Sequence, residues 1–322
     1  MRADGPAGRP AGAGDVRVSR VAPVSVLPRA SRQRLPPSLG HNDLRDTHIL
    51  RDTQDLCYGG GMTEGFPMPA LMVLGPLRLR GEAGEAALGG IKPRRLLAVL
   101  ALNAGEIVSA DRLIDVVWND LPPHSARQNL QTYVWFLRRL LAAAGRDRIR
   151  IEAQPPGYLL RAARGELDLH VFRSLSSAGA ACLASDPARA TKLLGEATAL
   201  WRGPALDNLA DGLPSLRPRI AALEEARLTA LDQRIQADLA LGRHREIVGE
   251  LAELAGLYPL FEQFRAHQMV ALYRCGRQAE ALAVFGDLRR ELAEELGIDP
   301  GPGLRRLRGQ ALRQKCGPAQ SQ

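Results

Sequence analysis

Apolar positions change their period along the chain, and the changes mark the elements. Residues 71–79 alternate in part and contain Gly75-Pro76, which predicts short strands around a turn. From Pro93 the period becomes helical. Leu96, Leu97, Leu100 and Ala101 follow i, i+3, i+4 spacing, and Asn103-Ala104-Gly105 ends the helix. Ser109 is placed to cap a second helix carrying Leu113, Ile114, Val117 and Trp118. Leu121-Pro122-Pro123 interrupts the chain, and Ser125 is placed to cap a third helix that runs to about Ala144, before Gly145. Arg148-Ile149-Arg150-Ile151-Glu152, the turn Pro155-Pro156-Gly157 and Tyr158-Leu159-Leu160-Arg161 predict a β-hairpin.

Three helices followed by a hairpin is the order of a winged helix-turn-helix, with residues 109–118 and 125–144 as the helix-turn-helix. Residues 163–322 show helical spacing with no strand runs. Gly242-Arg243-His244-Arg245-Glu246 returns as Gly276-Arg277-Gln278-Ala279-Glu280, an offset of 34 residues and the tetratricopeptide period. Leu251 then aligns with Phe285 and Leu254 with Leu288, while Asp186-Pro187 marks a similar helix start out of register. Such helix pairs bury each other's apolar stripe and leave a concave face for a partner. Residues 1–70 hold 8 Pro and 9 Gly with almost no periodic apolar pattern, and read as a disordered N-terminal extension. Met62, Met68 and Met72 are each alternative starts close to the ordered sequence. The expected fold is therefore mainly α. A winged helix-turn-helix domain with short β-strands (71–162) precedes an all-α tetratricopeptide-like domain (163–315) and a tail (316–322).

Charge separates these regions. The chain carries a formal net charge of +8; residues 71–162 hold +5 of it, residues 1–70 +2 and residues 163–322 +1. A basic excess in the small middle region is what a nucleic-acid-binding module needs. All of the 43 basic residues except Lys92, Lys192 and Lys315 are arginine, the better bidentate partner for guanine and phosphate; a GC-rich coding genome explains most of that bias. The four cysteines are scattered without a C-x-x-C pair, which argues against a zinc site or a disulfide framework. No apolar run approaches the ~18 residues of a membrane span, and the N-terminus has no secretory apolar stretch. A cytoplasmic, nucleoid-associated protein is expected.

The third helix carries the candidate chemistry. On a helical wheel Leu130, Val134, Leu137 and Leu141 form one stripe, which must face the core. Gln128, Thr132, Trp135 and Arg139 fall opposite, flanked by Gln131 and Arg138, with Arg127 nearer the core edge. Gln suits adenine edges, Arg suits guanine or phosphate, and Thr offers a methyl or a hydroxyl. Arg148 and Arg150 on the hairpin could reach phosphates or the minor groove. Trp135 is costly in water unless something covers it. Sugar or thymine methyls, a protomer interface, or a register shifted by one residue each remain open, and the neighbouring Phe136 raises the same question.

These stretches together resemble the Streptomyces antibiotic regulatory protein family of transcriptional activators. The first region matches at Val73-Leu74-Gly75-Pro76-Leu77, Lys92-Pro93-Arg94-Arg95-Leu96-Leu97, Val108-Ser109-Ala110-Asp111-Arg112-Leu113-Ile114, Asn129-Leu130-Gln131-Thr132-Tyr133-Val134, Leu137-Arg138-Arg139-Leu140 and Pro156-Gly157-Tyr158-Leu159-Leu160. The second matches at Glu166-Leu167-Asp168-Leu169-His170, Leu200-Trp201-Arg202-Gly203-Pro204-Ala205-Leu206, Ala240-Leu241-Gly242-Arg243-His244 and Glu294-Glu295-Leu296-Gly297-Ile298-Asp299-Pro300. The resemblance implies an OmpR-type winged helix joined to a bacterial transcriptional activator domain. It implies binding to direct repeats in double-stranded DNA near biosynthetic (antibiotic) promoters and recruitment of RNA polymerase. Two adjacent repeats would seat two protomers side by side, as a homodimer on DNA. The loop with Asn119, Asp120 and His124 is then the polymerase-contact candidate. This sequence departs from the family at Trp135-Phe136, where polar or basic residues are usual.

No cofactor, metal or catalytic residue is expected. The six histidines lack metal-ligand spacing, and neither a G-x-S-x-G nor a G-x-x-x-x-G-K-[ST] motif is present. A tetratricopeptide-like scaffold is a rival reading, but it has no need of a domain at +5. A repressor using the same winged helix is another, since residues alone do not set the sign of regulation. Arg305, Arg306, Arg308, Arg313 and Lys315 near the C-terminus could add phosphate contacts or form a solvated face.

Overall fold

The computed structural model describes residues 69–145, 148–209 and 212–313. Of the extension expected to be disordered (1–70), residues 1–68 lie outside the described residues, as does the tail of 316–322, whereas Pro69 and Ala70 are buried and belong to the fold, the Ala70 carbonyl accepting the Arg80 N–H at 2.7 Å. Strands β1 (Leu71–Met72), β2 (Arg78–Gly81) and β3 (Gly84–Glu85) form a small antiparallel sheet in that order. Helix α1 (Ile91–Leu102), strand β4 (Ile107–Ser109), α2 (Ala110–Trp118) and α3 (Ala126–Ala143) follow. The hairpin β5 (Ile149–Gln154) and β6 (Gly157–Ala162) pairs with β4 in the order β4-β6-β5, with Ile107 opposite Leu159 and Ile151 opposite Leu160. This is a winged helix-turn-helix with a strand between its first two helices.

Local chemistry explains the boundaries. The Ser109 hydroxyl accepts the Arg112 N–H at 3.3 Å and starts α2 as expected. Ser125 occupies the N-cap position of α3, but its hydroxyl instead accepts from the Asn129 side chain at 3.1 Å. The hairpin turns at Pro155-Pro156.

The remaining helices are α4 (Asp168–Cys182), α5 (Pro187–Ala199), a 3₁₀ turn (Pro214–Leu216), α6 (Arg217–Ala240), α7 (His244–Leu257), α8 (Glu262–Arg274), α9 (Gln278–Glu295) and α10 (Pro302–Arg313). The 34-residue echo is visible in three dimensions. Gly242 and Gly276 both take left-handed backbone (φ +78° and +77°) just before α7 and α9, a conformation that glycine adopts without strain. The aligned pairs Leu251 and Phe285, and Leu254 and Leu288, are all buried. They belong to two successive cores, one around Ile235, Leu251 and Phe264, the other around Met269, Phe285, Leu288 and Leu304.

The largest core does not stop at the winged helix. It runs from Ala70 through Leu97, Leu137 and Leu160 into Phe172, Leu194, Leu206 and Ala237 without a break. The first region and α4–α6 are therefore packed as one body.

Candidate nucleic-acid interface

Helix α3 presents two faces. Leu130, Val134, Leu137 and Leu141 are buried against α1, α2 and the hairpin. Gln128, Gln131, Thr132, Trp135, Arg138 and Arg139 are exposed on the other side, as the wheel requires. The helix carries three arginines and no acidic residue. The Thr132 hydroxyl donates to the Gln128 carbonyl at 3.2 Å, which leaves the glutamine amide as the polar group there.

Trp135 is 57% exposed, and its cover comes from its own helix. The Arg139 guanidinium lies 4.9 Å from the indole centroid, one turn along. Phe136 has a different fate. It is half-buried, belongs to the edge of the main core and rests its ring on Gly89 in the loop before α1. The two adjacent aromatics thus serve different surfaces.

Arg138, Arg127 and Arg148 each meet an acceptor inside the protein. Arg138 Nε donates to the Ile151 carbonyl at 2.8 Å and ties α3 to β5. Arg127 pairs with Asp111 of α2 at 2.5 Å, with both side chains mostly in solvent, a geometry worth little on its own. Arg148 stands 3.9 Å from the buried carboxylate of Glu166, at the entrance to the helical region. Arg150 is exposed on β5 and borders, with Arg138 and Glu152, a hollow of about 370 Å³ between the end of α3 and the hairpin. Sequence spacing identifies which side chains point outward; it cannot tell which guanidiniums already have an acceptor.

The loop before α3 is set by backbone geometry. Asn119 and Asp120 both take left-handed backbone (φ 52° and 60°), and Asn119 ends α2. The residues that follow project outward; Leu121 is 83% exposed, and Asn119, Asp120 and His124 are exposed as well. Trp118 anchors the loop from behind by stacking on Tyr133 of α3 (5.9 Å) with Lys92 on its ring (5.1 Å).

Sequence reasoning missed what holds this interface in place. Asp168, the first residue of α4, is fully buried, and its carboxylate accepts the N–H groups of Val73 and Leu74 at 2.9 Å. Arg202 approaches the same carboxylate at 3.4 Å, and its own N–H donates to the Leu74 carbonyl. Leu206, held in left-handed backbone, donates to the carbonyls of Val73 and Gly75. Burial pushes the Asp168 carboxyl up, against the pull of those N–H groups and of Arg202. Arg219 of α6 reaches across to Asn103 and to Glu106. His170 of α4 is held below its usual pKa, by burial first and by Arg173 second, while a hydrogen bond with the Ala104 backbone opposes them. The stretches 73–77 and 200–206, which look like separate motifs in the sequence, are the two halves of one clasp.

Among the described residues no helix is long and apolar enough to cross a membrane, and no group of three or more His, Cys, Asp or Glu residues is placed to hold a metal ion. Comparison with known proteins places both regions. Residues 85–160 match the family described as "Transcriptional regulatory protein, C terminal", and residues 167–312 match the "Bacterial transcriptional activator domain". The chain is similar to the regulatory protein DnrI of Streptomyces peucetius, 35% identical over 248 residues that cover 75% of this chain and 91% of that one. It is 41% identical over 242 residues to the regulatory protein AfsR of Streptomyces coelicolor, covering 74% of this chain and 24% of the relative. The chain thus spans about a quarter of the length of the AfsR proteins it matches. A solved structure of Mycobacterium tuberculosis EmbR, in complex with a low affinity phosphopeptide, superposes with a TM-score of 0.72 at 35% identity, over 76% of this chain and 65% of that one.

Proposed function

We propose a specific function on one premise: the chain belongs to the Streptomyces antibiotic regulatory protein family of transcriptional activators. It binds direct repeats upstream of biosynthetic promoters, antibiotic clusters among them, and activates them by recruiting RNA polymerase. Helix α3 enters the major groove with Gln128, Gln131, Thr132, Trp135 and Arg139 toward the bases, while Arg150 and the hairpin lie along the adjacent backbone. Arg127, Arg138 and Arg148 reach phosphate only by sharing or leaving their internal partners. Two protomers occupy neighbouring repeats side by side. The exposed loop with Asn119, Asp120 and His124 faces polymerase, and the helical region (163–315) completes the contact or receives a signal.

The observation that carries this reading is α3 itself, an outward face of amides, a hydroxyl, an indole and guanidiniums on an acid-free helix. Such a face suits base edges and phosphates. Selection of bound duplexes from a random DNA pool tests it. Enrichment of a repeated motif at a fixed spacing, with transcription from such a template raised by the protein, is the expected result. A pool without a motif, or a motif that occurs singly and lowers transcription, counts against the reading.

A further inference from the structure

On the reading of α3 as the DNA-contacting helix, we infer that Trp135 and Arg139 act as a single specificity-determining unit for a thymine–guanine step. The two residues lie one turn apart on the stripe directly opposite the buried leucines, so on that reading they point at the groove floor. An arginine side chain in solvent samples many rotamers; this one holds its guanidinium carbon over an indole, 4.9 Å from the ring centroid. Among the described residues no carboxylate pairs with Arg139. The indole therefore lies on one side of the guanidinium, and among the described residues no hydrogen bond or ion pair occupies its N–H donors. The planar fork matches the O6 and N7 acceptors of guanine. The side of the cation away from the indole is then left for a neighbouring base, and the 5-methyl group of a thymine, which projects into the major groove, is the apolar group that meets it there. Trp135 would thus fix the angle at which Arg139 meets the guanine. This also explains how an exposed indole is accommodated on the outward face, a place where Phe136 does not go.

The test uses the full chain and a duplex recovered by selection, with each guanine in turn replaced by 7-deazaguanine, which lacks the N7 acceptor, and each thymine by deoxyuridine, which lacks the methyl. One 7-deazaguanine position is expected to weaken binding by about five- to fifty-fold, and deoxyuridine at the thymine beside it by a further few-fold. Arg139→Lys and Trp135→Ala are both expected to erase that sensitivity, whereas Trp135→Phe, which keeps a ring, retains most of it. Both positions are at the surface, so the variants keep the core intact. No sensitive guanine in the parent protein would overturn the proposal in favour of backbone contact alone. A sensitivity that survives in Trp135→Ala would overturn it by showing that the indole does not orient the arginine. If no duplex is preferred at all, the assignment of α3 as a reading helix fails, and this inference with it.

Discussion

Replacing Asp168 by alanine is expected to lower the free energy of unfolding by about 3 kcal/mol, with about 5 as the upper end for a buried charge pair stripped of one partner. The carboxylate accepts from two backbone N–H groups at 2.9 Å and faces Arg202. Its removal leaves those donors without an acceptor in a place that water does not reach, at about 1–3 kcal/mol for each unsatisfied group. Arg202 is a quarter exposed and can turn toward solvent, which keeps the figure near the lower end. Asparagine retains one acceptor oxygen and should lose roughly half as much. Urea unfolding of the two variants measures this directly. The clasp joins residues about 95 apart in sequence, so the transition should also broaden or split as the winged helix and the helical region come apart. A loss below about 1 kcal/mol would mean that the clasp contributes little.

Gly157→Ala is the second large effect. A Cβ on Gly157 would lie 1.9 Å from the Val108 carbonyl oxygen and 2.7 Å from the Ser109 Cα, both of them backbone atoms of β4. Neither can yield without parting β4 from β6, where Ser109 pairs with Gly157. A cost of about 3 kcal/mol or more follows, and DNA affinity should fall with it, because the hairpin also holds Arg138 through the Ile151 carbonyl. Gly249 within α7 is the control. Nothing lies within 4 Å of a Cβ there, so Gly249→Ala should stabilise by roughly 0.5–1 kcal/mol. Thermal unfolding of both variants, with DNA binding at a temperature where both are folded, separates the two outcomes. A neutral Gly157→Ala would contradict the close approach.

The helices and their buried faces are legible in the sequence because periodicity is a local property. The stripe of Leu130, Val134, Leu137 and Leu141, the Ser109 cap and the 34-residue echo all come from neighbours within a few turns. What is illegible is whatever depends on distant partners. Asp168 stands in the sequence only as part of the stretch 166–170, yet it meets Val73 and Leu74 across the fold. Gly157 reads as a turn glycine, yet its lack of a side chain serves β4. The same limit applies to the candidate site. The wheel sets Arg138 beside the outward face and Arg127 nearer the core edge, and Arg148 falls on the predicted hairpin, but nothing local reveals their partners Ile151, Asp111 and Glu166. Trp135 and Phe136 look alike in sequence; Arg139 covers one and Gly89 receives the other.

The central claim, that α3 reads DNA, is tested most directly by fluorescence anisotropy of the full chain on DNA from upstream of its neighbouring genes, titrated at several salt concentrations with scrambled competitor present. Contact with about six phosphates gives a log–log salt slope of roughly −5, and the binding should survive the competitor and weaken selectively in Arg139→Ala. A flat salt response, or binding that the scrambled duplex abolishes, would contradict the claim.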